Sequence, residues 1–125
     1  MIPASNAEVI DLTAITPVEC PCGQARRALA GDLRFPGTLH LTDISEDARA
    51  HHHTEHTELY VIVECDDDAA IELNGVRRPV RPLHAVLIPP GVVHRAIGRM
   101  RVLIICVPDF EPDDEHLASL SHYNE

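Results

Sequence analysis

The run His51-His52-His53-Thr54-Glu55-His56-Thr57-Glu58 concentrates side chains that can bind metal, with His51 and His53 flanking one residue and Glu58 five positions after His53. A further histidine, His94, lies just past the turn Pro89-Pro90-Gly91. Three imidazoles and one carboxylate suit a single divalent transition metal per chain (iron, manganese, nickel, cobalt, copper or zinc), provided that the histidines are neutral. A six-coordinate ion held by four protein ligands keeps two positions for a chelating substrate, or for a substrate together with dioxygen. One histidine in isolation reads as solvated surface. Four ligands in a two-part arrangement read as a metal centre.

Position on the backbone decides whether these groups can meet. Side chains alternate across a strand, so His51 and His53 share a face and His52 points the other way. Glu58 has the wrong parity to join them along one straight strand, so the chain must bend within 54–57 for Glu58 to begin the next strand facing inward. His94 then comes from a hairpin packed nearby. Tyr60 and Ile62 share the parity of Glu58. A phenol at 60 could orient a substrate, although an aromatic on a strand face more often serves packing.

The elements that must do this positioning are strands. Residues 38–107 show a periodicity near two, broken by turn residues, with no convincing amphipathic helix. We expect strands at 38–44, 58–63, 69–73, 76–81, 84–88, 92–97 and 101–107, with Asn74-Gly75 as a hairpin turn. Residues 9–15 and 25–30 are expected as edge strands. Proline and acids at 112–115, followed by Leu117 and Leu120, suit a short C-terminal helix or a tail. Regular short strands close as a sandwich or barrel, in one domain spanning 1–125.

Composition narrows the functional classes. The chain has 125 residues, 45% hydrophobic and 24% charged, within the range of ordinary globular proteins. A formal charge of -10 opposes a phosphate-backbone partner, so no nucleic acid is expected. All 10 basic residues are arginine, which removes Schiff-base lysine chemistry and the P-loop lysine. No apolar run spans a bilayer and the first ten residues lack a signal-peptide pattern, so the expected setting is cytoplasmic, without membrane. The cysteines at 20, 22, 65 and 106 form no CxxC pair, and free thiols are the expectation in a reducing compartment. Cys20 and Cys22 could also cover the barrel mouth or form a redox pair.

His51, His53 and Glu58 resemble the first motif of the cupin superfamily (Gly, five residues, His-x-His, three or four residues, Glu, six residues, Gly). Pro89, Gly91, His94 and Gly98 are similar to its second motif, in which Pro-x-Gly-x-x-His is followed after three more residues by Asn. The resemblance spans about the middle half of the chain and implies a jelly-roll β-barrel with a metal at its centre, commonly in a homodimer. Ser45, Cys65 and Leu83 stand where the pattern has glycine, and Gly98 where it has asparagine, while all four ligand positions are kept. Separately, His51-x-His53-x-Glu55-His56 resembles the His-x-His-x-Asp-His run of metallo-β-lactamase-type hydrolases, whose fold needs a longer α/β chain. His56 stays open as a supporting residue or a substitute ligand.

The site residues expected from sequence are therefore His51, His53, Glu58 and His94 on the metal, with Glu58 and Tyr60 in catalytic roles. His40 and His84 fall on strands as satisfied core or surface histidines. Arg26, Arg27, Arg34 and Arg49 are candidates for an anionic substrate, although solvated arginine is the commoner outcome. The function expected is a cupin metalloenzyme of oxygenase or isomerase type acting on a small polar metabolite. The alternative is a non-catalytic module that binds metal or a small ligand. The apolar stretch 102–107 suits burial on both faces, by the barrel and by a second subunit.

Overall fold

In the computed structural model, which describes residues 6–46 and 48–118, the chain forms two antiparallel sheets packed face to face. The strands are β1 (Val18–Cys20), β2 (Gly23–Ala28), β3 (Thr38–Ile44), β4 (His51–His52), β5 (Thr57–Cys65), β6 (Ala70–Leu73), β7 (Val76–Pro79), β8 (Ala85–Ile88), β9 (His94–Ile97), β10 (Met100–Val107) and β11 (His116–Leu117). One sheet has the order β1-β2-β3-β10-β5-β8 and the other β11-β4-β9-β6-β7. This is the all-β sandwich expected from the periodicity, in keeping with the jelly roll that the cupin resemblance implies. It excludes the α/β hydrolase alternative. Among the described residues no helix is long and apolar enough to cross a membrane.

Alternation along β5 shows why the sequence folds this way. Glu58, Tyr60 and Ile62 are buried, while Leu59 and Val61 between them are only partly covered. On β10, Val102, Ile104 and Cys106 point inward, and on β3 Thr38, His40, Thr42 and Ile44 do the same. One end of the interior is thus aliphatic, built from Ile44, Ile62, Ile71, Met100 and Val102, each of which contributes on the order of 1.5–3 kcal/mol when fully buried. The other end is polar, with Thr38, His40, Glu58, His51 of β4 and His94 of β9. The stretch 102–107 is not covered on both faces within the chain, since Leu103 and Ile105 are half-buried and Val107 is exposed.

Turn chemistry follows the residues. Asn74 and Gly75 have φ of 48° and 80°, as a two-residue hairpin turn requires. Of the three positions where the cupin pattern has glycine and this chain does not, only Leu83 needs the left-handed region, with φ of 70°. It sits after Pro82 in a turn closed by the His84 N–H donating to the Arg81 carbonyl at 3.0 Å, the setting that normally selects glycine. Gly98, at φ 83°, takes a conformation that asparagine also tolerates, which accounts for that departure from the pattern.

Two expectations are corrected. Residues 9–15 form no strand. Leu12–Ala14 make a 3-10 turn because the Asp11 carboxylate accepts from the Thr13 N–H at 3.0 Å, offering the backbone a local partner in place of a sheet edge. Of the two readings after Pro108, a short helix or a tail, the described residues hold no α-helix: Pro112–Asp114 form a single 3-10 turn, and Leu117 lies in β11, while Leu120 falls outside the described residues. Cys20 and Cys22 are not free thiols. The turn at Pro21 holds their Cα atoms 5.3 Å apart, within bridging range, and they form a disulfide.

Candidate metal centre

The two sheets meet at the polar end of the sandwich, and the four expected ligands meet there with them. His51 on β4 lies directly opposite His94 on β9, with ring centroids 4.3 Å apart. His53 follows β4, its carbonyl accepting from the Gly91 N–H at 2.6 Å, so the two halves of the motif are tied through the backbone. Glu58 enters from the facing sheet on β5. One ligand atom from each of His51, His53, Glu58 and His94 lies within 4.8 Å of the others, and all four side chains are buried.

The carbonyl contacts settle which imidazole nitrogen faces inward. The Nδ1 atoms of His51, His53 and His94 lie 3.1, 3.0 and 2.9 Å from the carbonyl oxygens of Arg49, Asp114 and Val92. A carbonyl only accepts, so each Nδ1 carries the hydrogen and each Nε2 presents a lone pair. The Nε2 atoms of His53 and His94 stand 3.0 and 3.1 Å from Glu58 Oε1, yet none of these three atoms has a hydrogen-bond partner. Facing lone pairs at that distance in a buried site need a cation among them. The residues therefore fit a metal ion.

Electrostatics favour the same set. Burial pushes the His51 pKa down to about 3, helped by His94, which keeps that imidazole neutral. Burial alone would raise the Glu58 pKa, but positive charge on the side of its carboxyl that faces His53 and His94 outweighs burial and holds it well below its usual range. Tyr60, fully buried beside Glu58, has its phenol pKa raised by burial and by that carboxylate, so it stays protonated and able to donate. Its ring meets His94 edge-on at 6.0 Å.

The bend that parity demands between His53 and Glu58 is held by a residue from the far end of the chain. Asp114 accepts from the N–H groups of Thr54, Glu55 and His56 at 2.9, 3.0 and 3.2 Å, and from the Thr54 hydroxyl. Its own carbonyl orients His53. His56 lies 3.2 Å from Asp114 Oδ2 and stacks on Phe110, so it supports the bend. His53, His56 and Asp114 also cluster closely enough to suggest a second ion site, but the carboxylate oxygens of Asp114 are already spent on backbone donors. His52 faces away and stacks on His116.

A cavity of about 20 Å³ adjoins the ligands, lined by His51, His53, Glu58 and Tyr60 from the motif strands and by Arg27, His40 and Thr42 from β2 and β3. Cys20, Cys22, Ala25, Ile104, Phe110 and Glu115 complete its wall. Sequence reading had placed Arg27 only among several possible anion binders and His40 among packing residues, and it did not identify Thr42, Phe110, Asp114 or Glu115. For Thr42 the inward parity of β3, shared with His40, was the available signal. The C-terminal residues carried none, because a contact between residues 54 and 114 leaves no local pattern. Arg95 points away from the centre, toward Glu72 at 3.2 Å, and His84 is exposed.

No protein-family model and no curated protein matches the chain. Among solved structures, a protein from Planctomyces limnophilus is 41% identical and superposes with a TM-score of 0.85, covering 91% of this chain and 99% of that one. Pac13 from Streptomyces, described as a nucleoside dehydratase, is 14% identical with a TM-score of 0.72 over 90% of this chain and 92% of its own. Ectoine synthase from P. lautus is 16% identical with a TM-score of 0.72 over 90% and 91%. At such identities the last two similarities concern the fold, which is cupin-like. The chain belongs to the same family as the Planctomyces limnophilus protein, and that family has a cupin-like fold.

Proposed function

We propose that the protein is a cupin metalloenzyme that acts on a small polar metabolite at a mononuclear centre of His51, His53, His94 and Glu58, by oxygenase- or isomerase-type chemistry. The observation that carries this reading is the buried set of lone pairs, three of them aimed by backbone carbonyls, at the polar end of an otherwise aliphatic interior. A divalent transition metal bound there would supply Lewis acidity and open coordination positions. The chain's own residues would do the rest. Glu58, when released, is placed to take a proton from a substrate carbon, and the protonated Tyr60 to donate a hydrogen bond to a substrate oxygen. The imidazoles hold position through the carbonyls at their Nδ1 atoms.

The small cavity favours a second reading, a module that retains metal or a small ligand without turnover. The discriminating experiment supplies iron or manganese to the purified protein and follows oxygen uptake and product formation across a panel of hydroxy acids, diketones and catechols. Turnover that depends on added metal supports the enzyme. Tight binding without turnover across the panel would leave only the module.

A homodimer, rather than a nucleic-acid complex, is the assembly proposed. Leu59, Val61, Leu87, Leu103 and Ile105 lie on the outer face of the six-stranded sheet, Leu87 being 63% exposed on its edge strand. Light scattering at micromolar concentration should give twice the chain mass of 13.8 kDa. A monomer mass would rule the pairing out.

A further inference from the structure

We propose that Arg27 and Thr42 form, with the metal centre, a subsite for the carboxylate of a small chelating acid, a hydroxy- or oxo-acid of a few heavy atoms. This rests on the metal reading above and names the substrate class for the same site.

The first observation is a buried guanidinium nitrogen without a hydrogen-bond partner. Arg27 lies opposite His40 in the β2/β3 register, on the inward face, with its guanidinium carbon 4.2 Å from the centroid of the Phe110 ring. Its side chain is 24% exposed, and its Nε is buried with no hydrogen-bond partner. The nearest carboxylate, Glu115, stands 3.8 Å from the guanidinium, beyond hydrogen-bond reach. Comparably covered arginines have a closer carboxylate, Arg26 and Arg101 reaching Asp43 at 3.2 and 2.7 Å and Arg95 reaching Glu72 at 3.2 Å, although the Arg26 Nε is buried without a partner too. A guanidinium has five N–H donors in a fork that matches a carboxylate, and leaving a covered one unbonded is costly.

Thr42 supplies the second. It is fully buried, and its hydroxyl has no protein partner. Valine would fill the same space without that penalty, so a hydroxyl kept there suits a ligand atom. Both groups border the cavity that His51, His53 and Glu58 border. Its volume of about 20 Å³ has room for little more than one water-sized group, so only an acid of a few heavy atoms whose carboxylate takes that place would enter, and a ring system would not. A divalent ion and Arg27 set against Glu58 and Glu115 leave no excess of negative charge in the cavity, and burial pushes Glu115 toward its neutral form. An anion is therefore tolerated there.

The test titrates glycolate and its neutral counterpart glycolamide into zinc-loaded full-length protein by calorimetry, with metal content measured in every sample. Wild type should prefer glycolate by about tenfold or more, since a charge-assisted pair is lost with the amide. Arg27→Met should abolish that preference at unchanged metal content. Arg27→Lys, which keeps the charge but not the fork, should retain part of it, and covers the case in which the methionine variant folds poorly. Thr42→Val should weaken glycolate several-fold while its melting temperature stays level or rises, a combination that a purely structural threonine would not give. Loaded Arg27→Met or Arg27→Lys protein with the full wild-type preference would overturn this inference alone. Wild-type protein that takes up no metal would overturn the metal reading as well.

Discussion

Replacing His94 with alanine should abolish the rise in melting temperature that added zinc or manganese gives the wild-type protein. An ion that binds only the folded state stabilises it by about 2.7 kcal/mol at a hundred times its Kd. Loss of an outer partner of a metal ligand commonly costs ~10–100-fold in affinity, and loss of a ligand itself should cost more. His94 is the most deeply buried of the four, and its Nε2 is held inward by the Val92 carbonyl 2.9 Å from Nδ1. No neighbouring residue is placed to substitute: His56 is engaged with Asp114, and His40 bonds Thr38 at 2.9 Å. The metal-free variant should keep its β-sheet circular dichroism, because β9 remains paired with β6 over Ala70–Leu73. A variant that showed the wild-type thermal shift and metal content would remove His94 from the centre.

The second large effect is expected from a residue that touches no metal. Asp114→Ala deletes the acceptor of three backbone N–H groups and one hydroxyl in the bend between His53 and Glu58. Hydrogen bonds to a charged group contribute about 1.5–3 kcal/mol each. Thr54 and Glu55 are exposed and can turn to water, whereas the buried His56 has less recourse. A net loss of roughly 2–4 kcal/mol follows, against the ~5–15 kcal/mol stability of a typical domain. Differential scanning calorimetry should show a melting temperature lower by on the order of 10 °C. Metal affinity should fall as well, because the same segment supplies the carbonyl that fixes the His53 tautomer. Asp114→Asn keeps one acceptor oxygen and should fall between. If Asp114→Ala melted with the wild type, the clasp would be an incidental contact.

These two residues also mark how far the sequence could be read. The His-x-His spacing, Glu58 and the Pro-x-Gly-x-x-His turn are local patterns, and the four ligands converge as that spacing implies. Strand β3 was legible to its ends, because Leu39 and Leu41 alternate with polar residues over 38–44. The hairpin between β6 and β7 was legible too, since Asn74-Gly75 leaves few other conformations. The need for a bend at 54–57 followed from parity alone, but not the means of holding it. Asp114 reaches Thr54 across a separation of 60 residues, and nothing near either residue announces the pairing. Residues 9–15 misled for the opposite reason: an apolar pattern suggested a strand, and one side-chain cap at Asp11 outcompeted it. Arg27 could be told from its neighbour Arg26 only in three dimensions, where one faces the cavity and the other Asp43.

The clasp has a consequence for how the protein comes into being. Synthesis runs from the N-terminus, and the strands of both sheets other than β11 precede Pro108 in the chain. A growing chain can therefore present all four ligands while the bend among them is still loose and the His53 ring is free to choose either tautomer. The stretch around Asp114, made after the ligands, closes a loop of about sixty residues, an entropic cost that grows only slowly with length, and fixes both at once. Ordering of the centre is thereby deferred until Asp114 has been made, so a truncated product ending near residue 110 would carry the ligands without the geometry that makes them a site.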